Sequence, residues 1–303
     1  MPARRATGLT AAFVLGSLFP DADALLVFRG FDAYLRAHAS GTHSLLGTIA
    51  GAVIVGVTLR LLLSGARLVP LVAAAWVGTL GHVVCDLADG SDIRVLAPFS
   101  SAVFGWHLVA MGEPIVLAIL AGGLIAAWRR PAYRRSIAAV ALILLMSVLA
   151  FKKTTQARAI SLFAQHEATA SDTIAVAPKI AALFQWTVVE RRDDRVRAWT
   201  IDTRTDAMSL DFEFRDAARS ESIDRSRRLP VVHTFLGLSR MPFVRTESDG
   251  GRRLVLWSDA SACSPRGCDV SFGGAFDGAA APLYQLIRIG GFSEMRPVPA
   301  ALP

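Results

Sequence analysis

The apolar residues of this 303-residue chain are gathered into five runs in its first half, 8–20, 44–64, 69–88, 108–128 and 136–151. Three of them approach the ~20 residues that a helix needs to cross a hydrocarbon core. The run 136–151 is shorter and spans if Lys152 and Lys153 snorkel back to the headgroups. The run 8–20 is broken by Pro20 and Asp21. It either crosses by continuing through Asp21 and Asp23 to Phe28, or inserts partway with its end facing a cavity. Phe-Pro-Asp at 19–21 is a poor cleavage context, so no removable signal peptide is expected.

Charge changes at the end of the last run. Residues 1–151 carry 11 Lys and Arg with 7 Asp and Glu, whereas residues 152–303 carry 21 and 18. The chain is therefore expected to form an α-helical polytopic membrane domain of four to five apolar segments, 1–151, followed by a small soluble α+β domain, 152–303. The net charge of +7 divides into +4 and +3, so neither half is a basic patch and nucleic acid is not an expected partner.

In the second half, helical periodicity from 152 to about 170 gives way to alternation. Strands are expected over 184–190, 195–202, 208–214, 243–246, 253–257, 269–275 and 283–289, with a helix over 229–241, which makes a mainly antiparallel sheet. His166 and His233 stand alone and read as structural. Arg191, Arg192 and Arg195 read as a solvated turn. Cys263 and Cys268 flank Ser-Pro-Arg-Gly, a turn sequence. A disulfide there fits an oxidising compartment, and two free thiols in a loop is the other reading.

If five segments span, Arg4, Arg5, Arg67, Arg129, Arg130, Arg134 and Arg135 fall on one side and Arg29, Arg36 and Arg94 on the other. The positive-inside rule makes the seven-arginine side cytoplasmic and puts 152–303 outside. His38, His43, His82, Asp21, Asp23 and Asp86 then share the outer face. Ionisable groups at such depth cost ~2.5–3.5 kcal/mol on insertion scales and mark function.

His82 and Asp86 are four apart and share one helix face. Asp21 and Asp23 follow Pro20, and His38 and His43 bracket a short flexible stretch. Glu113 is a further carboxylate inside an apolar run. Histidine with carboxylate suits Zn, Mn or Fe better than Mg or Ca, and zinc is the first expectation. Each residue also has a plainer reading. Asp21 or Asp23 can terminate a helix, His38 and His107 can sit at the headgroups, and His82–Asp86 can be a hydrogen-bonded pair that holds helices together.

The motifs Leu18-Phe-Pro-Asp-Ala-Asp23, His38-Ala-Ser-Gly-Thr-His-Ser44, Gly81-His-Val-Val-Cys-Asp86 and Ala97-Pro-Phe-Ser100 resemble those of bacterial inner-membrane, inferred metal-dependent hydrolases of the YdjM/YbcI type. The likeness covers roughly 8–115 and implies Asp21, Asp23, His38, His43, His82 and Asp86 as metal-site residues. Ala39 and Ser40 replace the Arg-Gly of the family's loop motif, Asp89 replaces a usual Thr, and Glu113-Pro114 stands where many members carry Asp-Pro. The family's early histidine is missing, so either the start lies further upstream or a ligand has been lost. The expectation is a membrane-bound metal-dependent hydrolase acting on a membrane lipid or an amphiphilic phosphoester, with Glu113 or His38 as base or orienting group. The alternative is a metal-binding transport or structural protein without catalysis.

Overall fold

The structure, a computed structural model, describes residues 2–166 and 173–299. They fall into two compact units, 1–106 and 107–303.

In the first unit, α1 (Pro2–Leu18) is followed by a tight 3-10 stretch, Pro20–Arg29. Pro20 has no N–H to donate and its ring crowds the preceding turn, and the axis bends there by 44°. α2 (Phe31–Ala37) runs into a wide π-turn, His38–Thr42. α3 (Leu45–Leu62) begins at Ser44, whose hydroxyl accepts from the Gly47 amide at 3.0 Å and caps the helix. α4 (Leu68–Asp89) packs against both α1 and α3 around Ala12, Ala52, Val55, Leu59, Leu71 and Ala75. α1 and α4 meet backbone to backbone. A Cβ on Gly16 would lie 2.2 Å from the Ala75 carbonyl oxygen, and one on Gly78 would lie 2.2 Å from that of Phe13. The loop after α4 returns across the π-turn, with the Arg94 amide donating to Ala39 O at 2.7 Å and the Leu45 amide to Val95 O at 2.8 Å.

The second unit begins with α5 (Pro114–Arg129) and α6 (Arg134–His166), packed side by side. In α6 no residue before Lys152 is buried. From there Lys152, Thr155, Gln156, Ala159 and Phe163 form a buried stripe at helical spacing. Two antiparallel sheets follow. One has the order β1-β2-β3-β4, with β1 Thr173–Pro178, β2 Gln185–Arg192, β3 Arg195–Asp202 and β4 Ala207–Arg215. Short helices α7 (Glu221–Ser226) and α8 (Pro230–Leu236) lead to the second. Its strands are β5 (Pro242–Asp249), β6 (Arg252–Asp259), β9 (Val270–Phe276), β10 (Pro282–Ile289) and β11 (Phe292–Arg296), in the order β11-β10-β9-β6-β5. Between β6 and β9, β7 (Cys263–Ser264) and β8 (Gly267–Cys268) form a small ladder closed by the Cys263–Cys268 disulfide. Trp186, Val188, Val176 and Ile201 of the first sheet pack on Ala159 and Phe163 of α6. Val189, Val196, Ala198 and Ala175 pack instead with Met241, Phe243 and Ala260.

The helical first part and the antiparallel domain agree with the expected fold class. Among the described residues three helices are long and apolar enough to cross a membrane, Leu45–Leu62, Leu68–Asp89 and Pro131–His166, and a fourth if the bent pair 7–29 counts as one span. The run 108–128 is helical only from Pro114, over 16 residues. Lys152 does not snorkel: it is fully buried, donates to Ala182 O at 2.8 Å and lies over the Trp186 ring at 5.0 Å. The helix expected over 229–241 is shorter, because the chain turns into β5 after Ser239 and Arg240 bond Asp259. The expected solvated arginines are paired: Arg191 with Asp216 at 2.8 Å and Pro242 O, Arg192 with Glu190 and Arg195 with Glu213. Residues 167–170 of the helix expected to run on from 152 lie outside the described residues.

Candidate metal centre

Pro20 sets the positions of the two aspartates. In a 3-10 turn each residue advances by about 120°, so Asp21 and Asp23, two apart, point to different sides. The Asp21 side chain is 58% exposed and reaches His82 and His43, whereas Asp23 is buried against the π-turn. The widened turn His38–Thr42 brings His38, Thr42 and His43 round Asp23, and the Ser44 cap fixes His43 at the entrance to α3. α4 contributes His82 and Asp86 from one face.

His43 is fully buried and is contacted through both ring nitrogens. Its Nε2 lies 3.3 Å from His82 Nε2, 3.1 Å from Asp86 Oδ2 and 3.9 Å from Asp21 Oδ1. His82 Nε2 is 3.4 Å from both Asp86 Oδ2 and Asp21 Oδ1. His43 Nδ1 lies 3.0 Å from Thr42 Oγ1 and 3.7 Å from Asp23 Oδ2. Thr42 Oγ1 also donates to Asp23 Oδ2, and His38 Nδ1 lies 3.3 Å from that oxygen. Burial works against a charged His38, but its hydrogen bond to Asp23 and the negative field of Asp23, Asp86 and Asp21 outweigh this and raise its pKa. Phe31, Tyr34, His38, His43 and His82 form an unbroken chain of ring contacts.

Among the described residues two groups of donor atoms could hold a metal ion by proximity, Asp21–His43–His82 and Asp23–His38–His43. They differ chemically. The second is closed by hydrogen bonds among its own members and Thr42. On the other side of the His43 ring, Asp86 Oδ2 is buried and has no aligned hydrogen bond, although two imidazole nitrogens lie within 3.4 Å of it. A tetrahedral ion with ligand bonds of 2.0–2.1 Å has ligand–ligand edges of about 3.3–3.4 Å. Four of the five separations among Asp21, His43, His82 and Asp86 given above lie between 3.1 and 3.4 Å. Histidine and carboxylate donors at this spacing fit a divalent cation.

Glu113 belongs to the second unit. It is buried at the start of α5, and neither carboxylate oxygen has a hydrogen-bond partner among the described residues. His107 lies in the same unit, with its carbonyl bonded to Gln156 at 3.1 Å. Thr42 was not among the expected site residues, since a threonine carries no ligand signal, although its place beside His43 was visible. The Tyr34 ring lies 5.2 Å from that of His38, tilted by 36°. Its signal was the i, i+4 spacing to that histidine on a short helix.

The model of the YdjM inner membrane protein family matches residues 2–157. The chain belongs to this family. The matched stretch holds every residue of the cluster and Glu113, and it ends within α6, before the antiparallel sheets. No curated protein and no solved structure matches the chain.

Proposed function

We propose that this YdjM-family protein is a membrane-bound metal-dependent hydrolase whose divalent cation is held by Asp21, His43, His82 and Asp86. The observation that carries this reading is the convergence of two imidazole nitrogens and the orphaned Asp86 oxygen at tetrahedral edge lengths, beside an Asp21 that faces the exterior. A catalytic site keeps a position for water; with four protein ligands that water would be a fifth ligand, on the exposed flank beside Asp21. Zinc is the first choice for this donor set, with Mn and Fe next. A cation there would polarise the scissile group and bring a bound water toward a pKa of ~7.

The chain's own residues would do the rest. Thr42 and Asp23 take the Nδ1 side of His43 and leave its Nε2 lone pair for the ion, and His38 braces Asp23 in turn. His82 is seven residues before the end of α4, about 10 Å along the axis, so the site lies near one end of a span rather than at its middle. That depth suits a lipid or another amphiphilic phosphoester.

The test is turnover of a phosphomonoester and phosphodiester panel by the purified full chain. Asp86→Asn keeps the side-chain shape but weakens coordination. It should stay folded in detergent and lose activity at least 100-fold, while His107→Ala should keep most of it. Equal activity in the two variants would remove the metal-hydrolase reading. Stoichiometric metal with no turnover on any ester would favour the binding or transport alternative.

We also place the antiparallel domain on the outer side of the membrane. The arginines of 129–135 and the Cys263–Cys268 disulfide support this. Reporter fusions at Tyr133 and after residue 303 should read opposite compartments, with Tyr133 cytoplasmic. The reverse pattern, or one compartment for both, would overturn the placement.

A further inference from the structure

The turn between β1 and β2 has an unusual composition for its position. Turns of water-exposed hairpins are built from Gly, Asn, Asp, Ser and Pro. Residues 179–184 read Lys-Ile-Ala-Ala-Leu-Phe, and Ile180 at the tip is 61% exposed. The single charge does not mask the tip, because the Lys179 ammonium is taken up by Asp211 at 3.1 Å and by Thr200.

This turn is fastened to one point on α6. Lys152 donates to Ala182 O at 2.8 Å, and Phe184 meets Phe151 edge to face with ring centroids 5.4 Å apart. Phe151 and Lys152 are where α6 changes character. Before them lies an apolar stretch almost wholly open to the surroundings, and after them comes the stripe packed on the sheet. Six residues further on, about 9 Å along the helix, Arg158 and Asp206 form an exposed ion pair at 2.7 Å. Apolar helix surface, apolar turn and exposed ion pair thus follow one another along α6 in the order hydrocarbon, interface and water.

We infer that the β1–β2 turn, with Ile180 at its tip, is a lipid-contacting element seated in the interfacial layer of the bilayer that α6 leaves at Phe151. The partner is the lipid surface itself. Lys152 serves as the internal tie that holds the turn at that depth, buried between Ala182 and Trp186. This inference rests on α6 crossing the membrane and does not depend on the hydrolase reading. It goes beyond that reading because it gives the antiparallel domain a second attachment to the membrane, which restricts tilting about the helix.

The test is site-directed spin labelling of the full chain in phosphatidylcholine vesicles, in a Cys85→Ala background. Cys263 and Cys268 are blocked by their disulfide. Nitroxides are placed at Ile180→Cys, at Ala181→Cys as a second exposed tip position, at Leu144→Cys on the apolar part of α6, and at Asp249→Cys on the β5–β6 turn as a water reference. Collisions with a water-soluble nickel chelate should fall at least threefold at 180 and 181 relative to 249, and collisions with oxygen should rise. Nickel accessibility at 180 and 181 equal to that at 249, with 144 shielded, would overturn the inference and leave the span intact. Equal accessibility at all four positions would overturn both.

Discussion

Within the metal-type cluster, Asp21 and Asp23 are two positions apart and face different partners. Asp21 reaches the His43–His82 pair from an exposed position, whereas Asp23 is enclosed by Thr42, His38 and the Nδ1 side of His43. The account gives Asp23 the part of an orienting carboxylate, and replacing such groups typically weakens metal affinity 10–100-fold. Asp23→Asn should therefore still reach one equivalent of Zn at saturation, with an affinity lower by roughly that factor. Competition titration against a chromogenic chelator measures both quantities. Failure of Asp23→Asn to bind at saturation would make Asp23 a ligand. The residue types and their grouping were legible in the sequence, since His82 and Asp86 share a face at i, i+4 whatever the surroundings. The division of labour between Asp21 and Asp23 was not. It depends on Pro20 turning the chain into a 3-10 stretch, and a two-residue spacing fixes no face until that turn type is known.

At the scale of elements, the site is held by the crossing of α1 and α4. Gly16 and Gly78 let the two backbones approach, and a Cβ at either would sit 2.2 Å from a carbonyl oxygen of the other helix. Gly78 is one turn before His82, and α1 runs directly into Pro20 and Asp21. Gly78→Ala must part the helices by roughly 1 Å, an overpacking cost of ~1–3 kcal/mol, and it should draw Asp21 away from His82. The expected result is lower thermal stability together with weaker metal binding. Gly81→Ala is the matched control on the same helix, because its added Cβ meets nothing within 4 Å. It should be neutral or slightly stabilising, as glycine is a poor helix former. Equal behaviour of the two variants, read as Tm in detergent with and without Zn, would contradict the packing argument. The strands of the second unit were readable where polar and apolar residues alternate, as in β3 and β4, and where a short apolar run is bounded by polar turns, as in β6 and β9. β1 and β11 were missed: Thr-Ile-Ala-Val-Ala-Pro does not alternate polar with apolar, and the five residues of β11 pair only with β10. Run 108–128 misled because apolarity alone does not start a helix. The chain takes a left-handed turn at His107 and Gly112, and the helix begins only at Pro114.

For the whole molecule, family membership and the helical first part fix the setting. The chain belongs to an inner membrane protein family, and among the described residues three helices are long and apolar enough to span. Lys152 shows how a whole-molecule feature escapes a sequence reading. A lysine at the end of an apolar run ordinarily reaches for headgroups, but here a sheet encoded thirty residues later supplies a carbonyl and an indole face, and the lysine is buried instead. Asp21, His43, His82 and Asp86 are proposed to form one cation site. X-ray absorption at the metal edge of the full chain loaded with one equivalent of Zn tests it most directly. Four protein ligands and one water oxygen are expected at about 2.0–2.2 Å, two of the five imidazole by their outer-shell scattering, with one imidazole lost in His82→Ala. Zn that stays hydrated by six oxygens with no imidazole scattering, or a spectrum unchanged in His82→Ala, would contradict it.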